Sequence, residues 1–207
     1  MKTISTFTSS KFALKIAALA IVMSAAVGNA RAQGNMSFED EISQYRWGIK
    51  GGINQGYQNS DKGLTDARTG IHLGGFMETT IKPKTDLQVE FVYSMQGCLE
   101  DGVEDQMDYI NIPVIFKYHT NMARTFSIDF GPQVGYMLSA KRKKSSSTVE
   151  YDLNKITKLD VSACVGISYR FNPDFFASFR VNVGLTKIWQ DLTYTNAVAQ
   201  IGVGYIF

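Results

Sequence analysis

The sequence predicts an all-β fold, an eight-stranded antiparallel up-and-down transmembrane β-barrel, on three observations. Apolar residues recur with period two in eight separate runs, and no window sustains a 3.6-residue helical period. Short and long connections between those runs alternate strictly. The face opposite the apolar side chains is small, polar or charge-balanced, unlike a water-washed surface.

The first run, Tyr45–Asn54, sets Trp47, Ile49, Gly51 and Ile53 against Arg46, Lys50 and Asn54. In the second, Ile71, Leu73, Met77 and Ile81 oppose His72, Gly74 and Glu78. The third alternates most cleanly, with Leu87, Val89, Phe91, Tyr93 and Met95 against Gln88, Glu90, Val92, Ser94 and Gln96. A fourth runs from Ile110 to Tyr118 with Asn111, Pro113, Ile115 and Lys117 on the second face. The fifth opposes Phe126, Ile128, Phe130, Val134 and Tyr136 to Ser127, Asp129, Gly131, Gln133 and Gly135. Leu159–Phe171, Phe175–Leu185 and Ala197–Phe207 complete the set. Pro113 and Pro132 lie inside strands, where each removes a ladder donor and predicts a bulge.

Connection lengths choose the architecture. The links at Lys82–Thr85, Thr120–Arg124 and Asn172–Asp174 are tight, and those at Gln55–Ala67, Gly97–Met107, Ser139–Lys158 and Thr186–Asn196 are long. All tight turns therefore fall at one end of a meander, as in barrels with short periplasmic turns and longer external loops. A narrow eight-stranded interior takes side chains alone, which suits a Gly- and Ser-rich inner face. Charges on that face must pair in confinement. Arg46, Lys50, Lys117, Arg170 and Arg180 are expected to meet Glu78, Glu90, Asp129 and Asp160 in a lumen network. Aromatic residues near strand ends, Trp47, Tyr93, Tyr109, Tyr118, Phe126, Tyr136, Tyr169, Phe171, Phe175, Tyr205 and Phe207, suit two interfacial girdles.

Three further readings frame the barrel. Lys2, Lys11 and Lys15 precede an apolar run, Ile16–Val27, and an Ala30-Arg31-Ala32 site, which reads as a signal peptide over 1–32 cleaved near Ala32. Residues 33–44 would be a periplasmic segment and 45–207 the barrel domain. Residues 1–32 hold four bases and no acid, so 21 Lys and Arg fall to 17 against 19 Asp and Glu, and nucleic-acid binding gains no support. Cys98, in an expected loop, and Cys164, in an expected strand, are poorly placed to bridge, and two His with two Cys offer almost no zinc ligands.

Four segments carry a family resemblance: Trp47–Asn54, Tyr109–Tyr118, Gly131–Ala140 and Gln200–Phe207. In that order they are similar to the PorT-like family of small outer-membrane β-barrels, across essentially Tyr45–Phe207. The resemblance implies the outer membrane of a Gram-negative bacterium and no defined catalytic residues. It also implies that Tyr205 and Phe207 act as a signal to the barrel-assembly machinery. One member of that family serves a protein-secretion system.

Candidate chemistry is sparse. Asp129-Phe130-Gly131 lacks the phosphate loop and catalytic loop a kinase needs, and Gly202-x-Gly204 is no dinucleotide fingerprint. His72 with Ser94 and Glu90 could form a hydrolase-like group, although a lumen hydrogen-bond network explains the same residues. Lys141, Arg142, Lys143 and Lys144 read as an external basic loop able to meet lipopolysaccharide phosphates. Glu100, Asp101, Glu104 and Asp105 form an acidic counterpart. The expectation is a non-enzymatic barrel without a cofactor, embedded in outer-membrane lipid. Its loops meet surface partners or support the envelope. Service to a secretion system, or lipid modification, are the alternatives.

Overall fold

The computed structural model describes residues 45–60, 63–64, 66–100, 103–144, 147–150, 157–187 and 195–207. The expected signal peptide (1–32) and periplasmic segment (33–44) lie outside the described residues. Among the described residues ten strands follow one another: β1 (Arg46–Ser60), β2 (Gly63–Leu64), β3 (Asp66–Lys82), β4 (Thr85–Glu100), β5 (Val103–His119), β6 (Phe126–Lys144), β7 (Ser147–Glu150), β8 (Leu159–Arg170), β9 (Phe175–Lys187) and β10 (Thr195–Ile206).

The eight long strands pair antiparallel in the order β10-β9-β8-β6-β5-β4-β3-β1, and β10 returns to pair with β1. That last ladder runs from Gly48↔Ile206 to Asn59↔Thr195 and closes the barrel, which leaves the long strands without a free edge. The two short strands are additions at one end, β2 on β1 and β7 on β6. Alternation decides the faces. Trp47, Phe91, Val165, Phe179 and Val203 point outward and are exposed, whereas Lys50, Glu90, Lys117, Asp129 and Arg180 point inward and are buried.

The strands are longer than alternation alone suggested. The described residues of the segments expected as long loops are mostly ladder. β4 and β5 pair as far as Glu100↔Val103, and β6 follows β5 to Lys144↔Val103. Ladder hydrogen bonds are made by the backbone and not by the side chains, so pairing continues past the end of the apolar stripe. Cys98 consequently lies in β4 and not in a loop. It and Cys164 are both buried, unbridged thiols.

The prolines produce gaps and not bulges. β4 and β5 pair at Val89↔Val114 and next at Val92↔Asn111, skipping the two pairs around Pro113. β5 and β6 pair at Pro113↔Gln133 and next at Phe116↔Phe130, skipping the two around Pro132. The register is the same on either side of each gap. A missing donor costs local pairing, while packing of the alternating faces keeps the strands in step. The real bulge in this region is at Asp108↔Ser139 against Tyr109↔Met137.

A second correction concerns Tyr109. Expected in a girdle, it is 1% exposed and faces the lumen, its hydroxyl 3.9 Å from the Met107 sulfur. Strand parity overrides proximity to the strand end. The outward aromatic residues cluster at the tight-turn end, where Phe175 and Tyr205 stand 4.8 Å apart and Tyr205 and Phe207 5.5 Å apart.

Candidate functional site: the lumen network and the external ribbon

The inward faces of the strands build three polar layers. At the tight-turn end, Glu78 of β3 and Asp86 of β4 are almost fully buried. Glu78 accepts from Arg46 at 2.6 Å and Arg170 at 2.9 Å, with Lys117 3.6 Å away. Asp86 accepts from His119 Nε2 at 2.7 Å, Thr80 at 2.8 Å, Arg46 at 3.1 Å and Arg124 at 3.3 Å. A small apolar group, Phe76, Phe176 and Ile206, packs beside them, and Lys117 Nζ sits 4.7 Å from the centre of the Phe176 ring.

The middle layer is a single carboxylate held by two cations. Glu90 takes both guanidinium nitrogens of Arg180 (2.8 and 3.1 Å) and Lys50 Nζ at 3.0 Å, and Gln88 donates to it at 2.8 Å. All four side chains are buried. The two-point Arg180 contact is the strongest hydrogen-bonded ion-pair geometry available to a carboxylate.

The third layer is neutral and centred on Asn54. Its amide donates to Ser94 at 2.9 Å, to Met95 O at 2.9 Å and to Ile71 O at 3.1 Å. Its oxygen meets His72 Nδ1 at 2.8 Å and accepts from Gln200 at 3.1 Å. Gln96 donates to Ser94 at 3.1 Å and accepts from Asn196. His72 and Ser94 are cross-strand neighbours in the β3–β4 register, yet each bonds Asn54, and Glu90 is committed to Lys50 and Arg180. No Ser–His–carboxylate relay forms from these three.

Seven of the nine charged residues considered for the lumen meet in ion pairs: Arg46, Lys50, Glu78, Glu90, Lys117, Arg170 and Arg180. Asp129 and Asp160 bond hydroxyls, Asp129 those of Ser127 (2.7 Å) and Ser168, and Asp160 that of Thr186 at 2.7 Å. Sequence reasoning did not include Asp86, His119 and Arg124 in the lumen network. Asp86 and His119 lie one alternation step beyond Gln88 and Lys117, so parity contained them. Arg124 sits in a turn, where no periodicity applies.

Strands continue beyond the third layer, and there β4, β5, β6 and β7 form the ribbon that carries the charged run. The basic run stands within β6 and is no loop. Lys143 lies opposite Glu104, Arg142 opposite Asp105 and Lys141 opposite Gln106, and Lys144 ends the ladder against Val103. Arg142 grips Asp105 with two 2.8 Å bonds. The Glu104 carboxyl is held below the usual carboxylate range by a 2.7 Å bond from Arg68 and another from Gln106. Acids of the neighbouring strand thus answer much of the basic run's charge. Among the described residues no cluster of His, Cys, Asp and Glu could hold a metal ion.

A family model described as an outer membrane protein β-barrel domain matches residues 31–190. Among solved structures, Neisserial surface protein A superposes with a TM-score of 0.56 at 11% identity, over 80% of this chain and 100% of that one. Ail, the attachment invasion locus protein of Yersinia pestis, gives 0.52 at 16% identity, over 80% and 100%. The structure of Ail with the heparin analogue sucrose octasulfate gives 0.51 at 16% identity, with the same coverage. At these identities the likeness is one of fold. A search of curated proteins finds no match.

Proposed function

This chain belongs to the outer membrane protein β-barrel domain family, and from that premise we propose that it is a sealed, non-enzymatic barrel acting through its external ribbon. The family sets it in the outer membrane of a Gram-negative bacterium. One observation carries the rest of the reading: the lumen is crossed by a continuous ion-paired layer, Lys50–Glu90–Arg180, while the ladders continue past the third layer as far as Glu100↔Val103 and Val103↔Lys144. Traffic through the interior is blocked, so the surface left for partners is the ribbon. Purified protein in planar bilayers is therefore expected to give no stable conductance. A steady nanosiemens-scale channel would sink the sealed reading.

On the ribbon, Arg142 turns toward Asp105, and alternation puts Lys141 and Lys143 on the other face. We assign those two to lipopolysaccharide phosphates, whose charge falls off within about 10 Å at moderate salt. Ail, a structural neighbour, has been crystallised with a sulfated heparin analogue, which makes a polyanionic ligand plausible for the fold. Lys141→Gln with Lys143→Gln should weaken binding to intact lipopolysaccharide and leave binding to its dephosphorylated form unchanged. Equal loss for both would remove the assignment.

The outward face is assigned to lipid. Val165 is 59% exposed in mid-strand, and Arg there should cost about 2–4 kcal/mol in vesicle unfolding experiments. A spin label at Val165 that reports bulk water would overturn the topology.

Tyr205 and Phe207 fit an assembly signal. Both rings lie on the outer side at the tight-turn end, and Phe207 N–H bonds Trp47 O at 2.8 Å across the seam. A second reading, service to a secretion system, rests on the four PorT-like segments alone. Unchanged secreted cargo in a deletion strain would remove it.

A further inference from the structure

We propose that the tight-turn mouth of the lumen binds a small monatomic anion of chloride's size. The first reason is charge. In the two ionic layers, Arg46, Lys50, Lys117, Arg124, Arg170 and Arg180 stand against Glu78, Asp86, Glu90 and Asp129, six cations to four carboxylates before His119 is counted; the carboxylates, Lys50, Lys117 and Arg180 are buried, and Arg46, Arg124 and Arg170 are half-buried. The unmatched positive charge therefore lies on half-buried side chains, where an anion from solvent can offset it.

The second reason is a built pocket at that mouth. Lys117, His119, Arg124, Thr125, Ser127, Ser168, Arg170 and Phe176 line a small cleft there. Its cavity volume of about 10 Å³ suits a halide or one water and is too little for a phosphate. Four of the eight lining residues are basic. Lys117 and His119 are 2% and 1% exposed.

The third reason is an orphaned atom. His119 donates from Nε2 to Asp86, and its Nδ1 is buried without a partner in the protein. An imidazolium donates from both nitrogens, so a bound anion beside Nδ1 would satisfy the ring and offset the excess charge together. The groups facing His119 are Asp86 of β4, Lys117 of its own strand, Ser127 of β6, Arg170 of β8 and Arg124 of the turn, with Arg46 of β1 reaching Asp86. Arg124 is fixed beside the pocket by its backbone and its bonds. Its φ of 55° is a left-handed conformation that side chains rarely adopt, and its guanidinium bonds Thr80 and Asp86.

The test uses the full barrel refolded in detergent micelles, in gluconate buffer at fixed ionic strength, with chloride titrated and the ³⁵Cl line width recorded. Saturable broadening that bromide displaces is expected for the wild type. His119→Gln keeps a donor for Asp86 but has no second nitrogen, and should weaken binding by about tenfold, the worth of one charge-assisted hydrogen bond. Arg124→Gln should weaken it similarly and lies in an exposed turn, so it carries the test if His119→Gln does not fold. Arg142→Gln, on the ribbon, should leave binding unchanged. Absence of saturation in the wild type overturns the proposal and leaves the pocket to water. So does unaltered binding in a folded His119→Gln or Arg124→Gln variant. Neither outcome bears on the sealed-barrel reading, which rests on Glu90 and its partners.

Discussion

Replacing Glu90 by Ala should remove about 3–5 kcal/mol of folding stability, because two buried cations lose their only shared carboxylate. Lys50 Nζ is 3.0 Å from one Glu90 oxygen, and Arg180 bridges both oxygens at 2.8 and 3.1 Å. All three residues are at most 5% exposed. Nothing on the outer face can compensate, since that side of the wall is Phe91, Ile49 and Val181. Glu90→Gln should be milder, as an amide oxygen still accepts from Arg180 and only the charge is lost. The strongest check is a double variant. Glu90→Gln with Lys50→Met should recover much of the loss, which a purely steric defect at Glu90 would not. The measurement is urea unfolding in lipid vesicles, supported by the faster gel migration of the unboiled folded barrel. If Glu90→Ala lost under about 1 kcal/mol, the charges would be solvated by lumen water, and the sealed interior inferred from them would be wrong.

Much of this arrangement was legible in the sequence, and the parts that were not share a cause. Alternation with period two gives the face of every residue from one anchored position, so Lys50, Glu90 and Arg180 could be assigned inward before any distance was known. It does not say which charge meets which. That depends on the stagger between neighbouring strands, which only the register supplies. Glu78 illustrates the limit: it joins Arg46 of the adjacent strand to Arg170 across the lumen, 92 residues away in sequence. Tyr109 was misplaced where nearness to a strand end was weighed above its own parity. Arg124 was invisible for a different reason. A turn has no face, and its side chain reaches Asp86 only because the backbone takes a left-handed conformation. The basic run, conspicuous as a string of like charge, lost much of its individuality once Glu104 and Asp105 proved to lie directly opposite.

The second large effect is expected at the seam that closes the barrel. Gly52 of β1 lies opposite Gly202 of β10 in the closing ladder. A Cβ on Gly52 would collide with the Ile201 carbonyl, approach the Gly202 Cα at 2.5 Å and meet His72 Cε1 at 2.8 Å. The first two obstacles are backbone of the partner strand and cannot swing aside as a side-chain tip does. Relief therefore requires β10 to move away from β1. In an aqueous protein such overpacking costs about 1–3 kcal/mol. In a membrane the separated strands would also bare N–H and C=O groups to hydrocarbon, at several kcal/mol for each group left unsatisfied. Gly52→Val should accordingly prevent assembly, and Gly52→Ala should lower the unfolding midpoint clearly. Gly75 provides the control. It lies in the adjacent β3, and a Cβ there meets only the Gly48 carbonyl at an ordinary 3.6 Å, so Gly75→Ala should be neutral or slightly stabilising through reduced chain entropy. Both variants are compared by heat-modifiable gel migration and urea midpoint in the same vesicles. Gly52→Ala folding as well as Gly75→Ala would mean that the β1–β10 seam yields easily, and closure would then depend less on the approach of these two glycine backbones than on the pairing elsewhere along Gly48–Asn59.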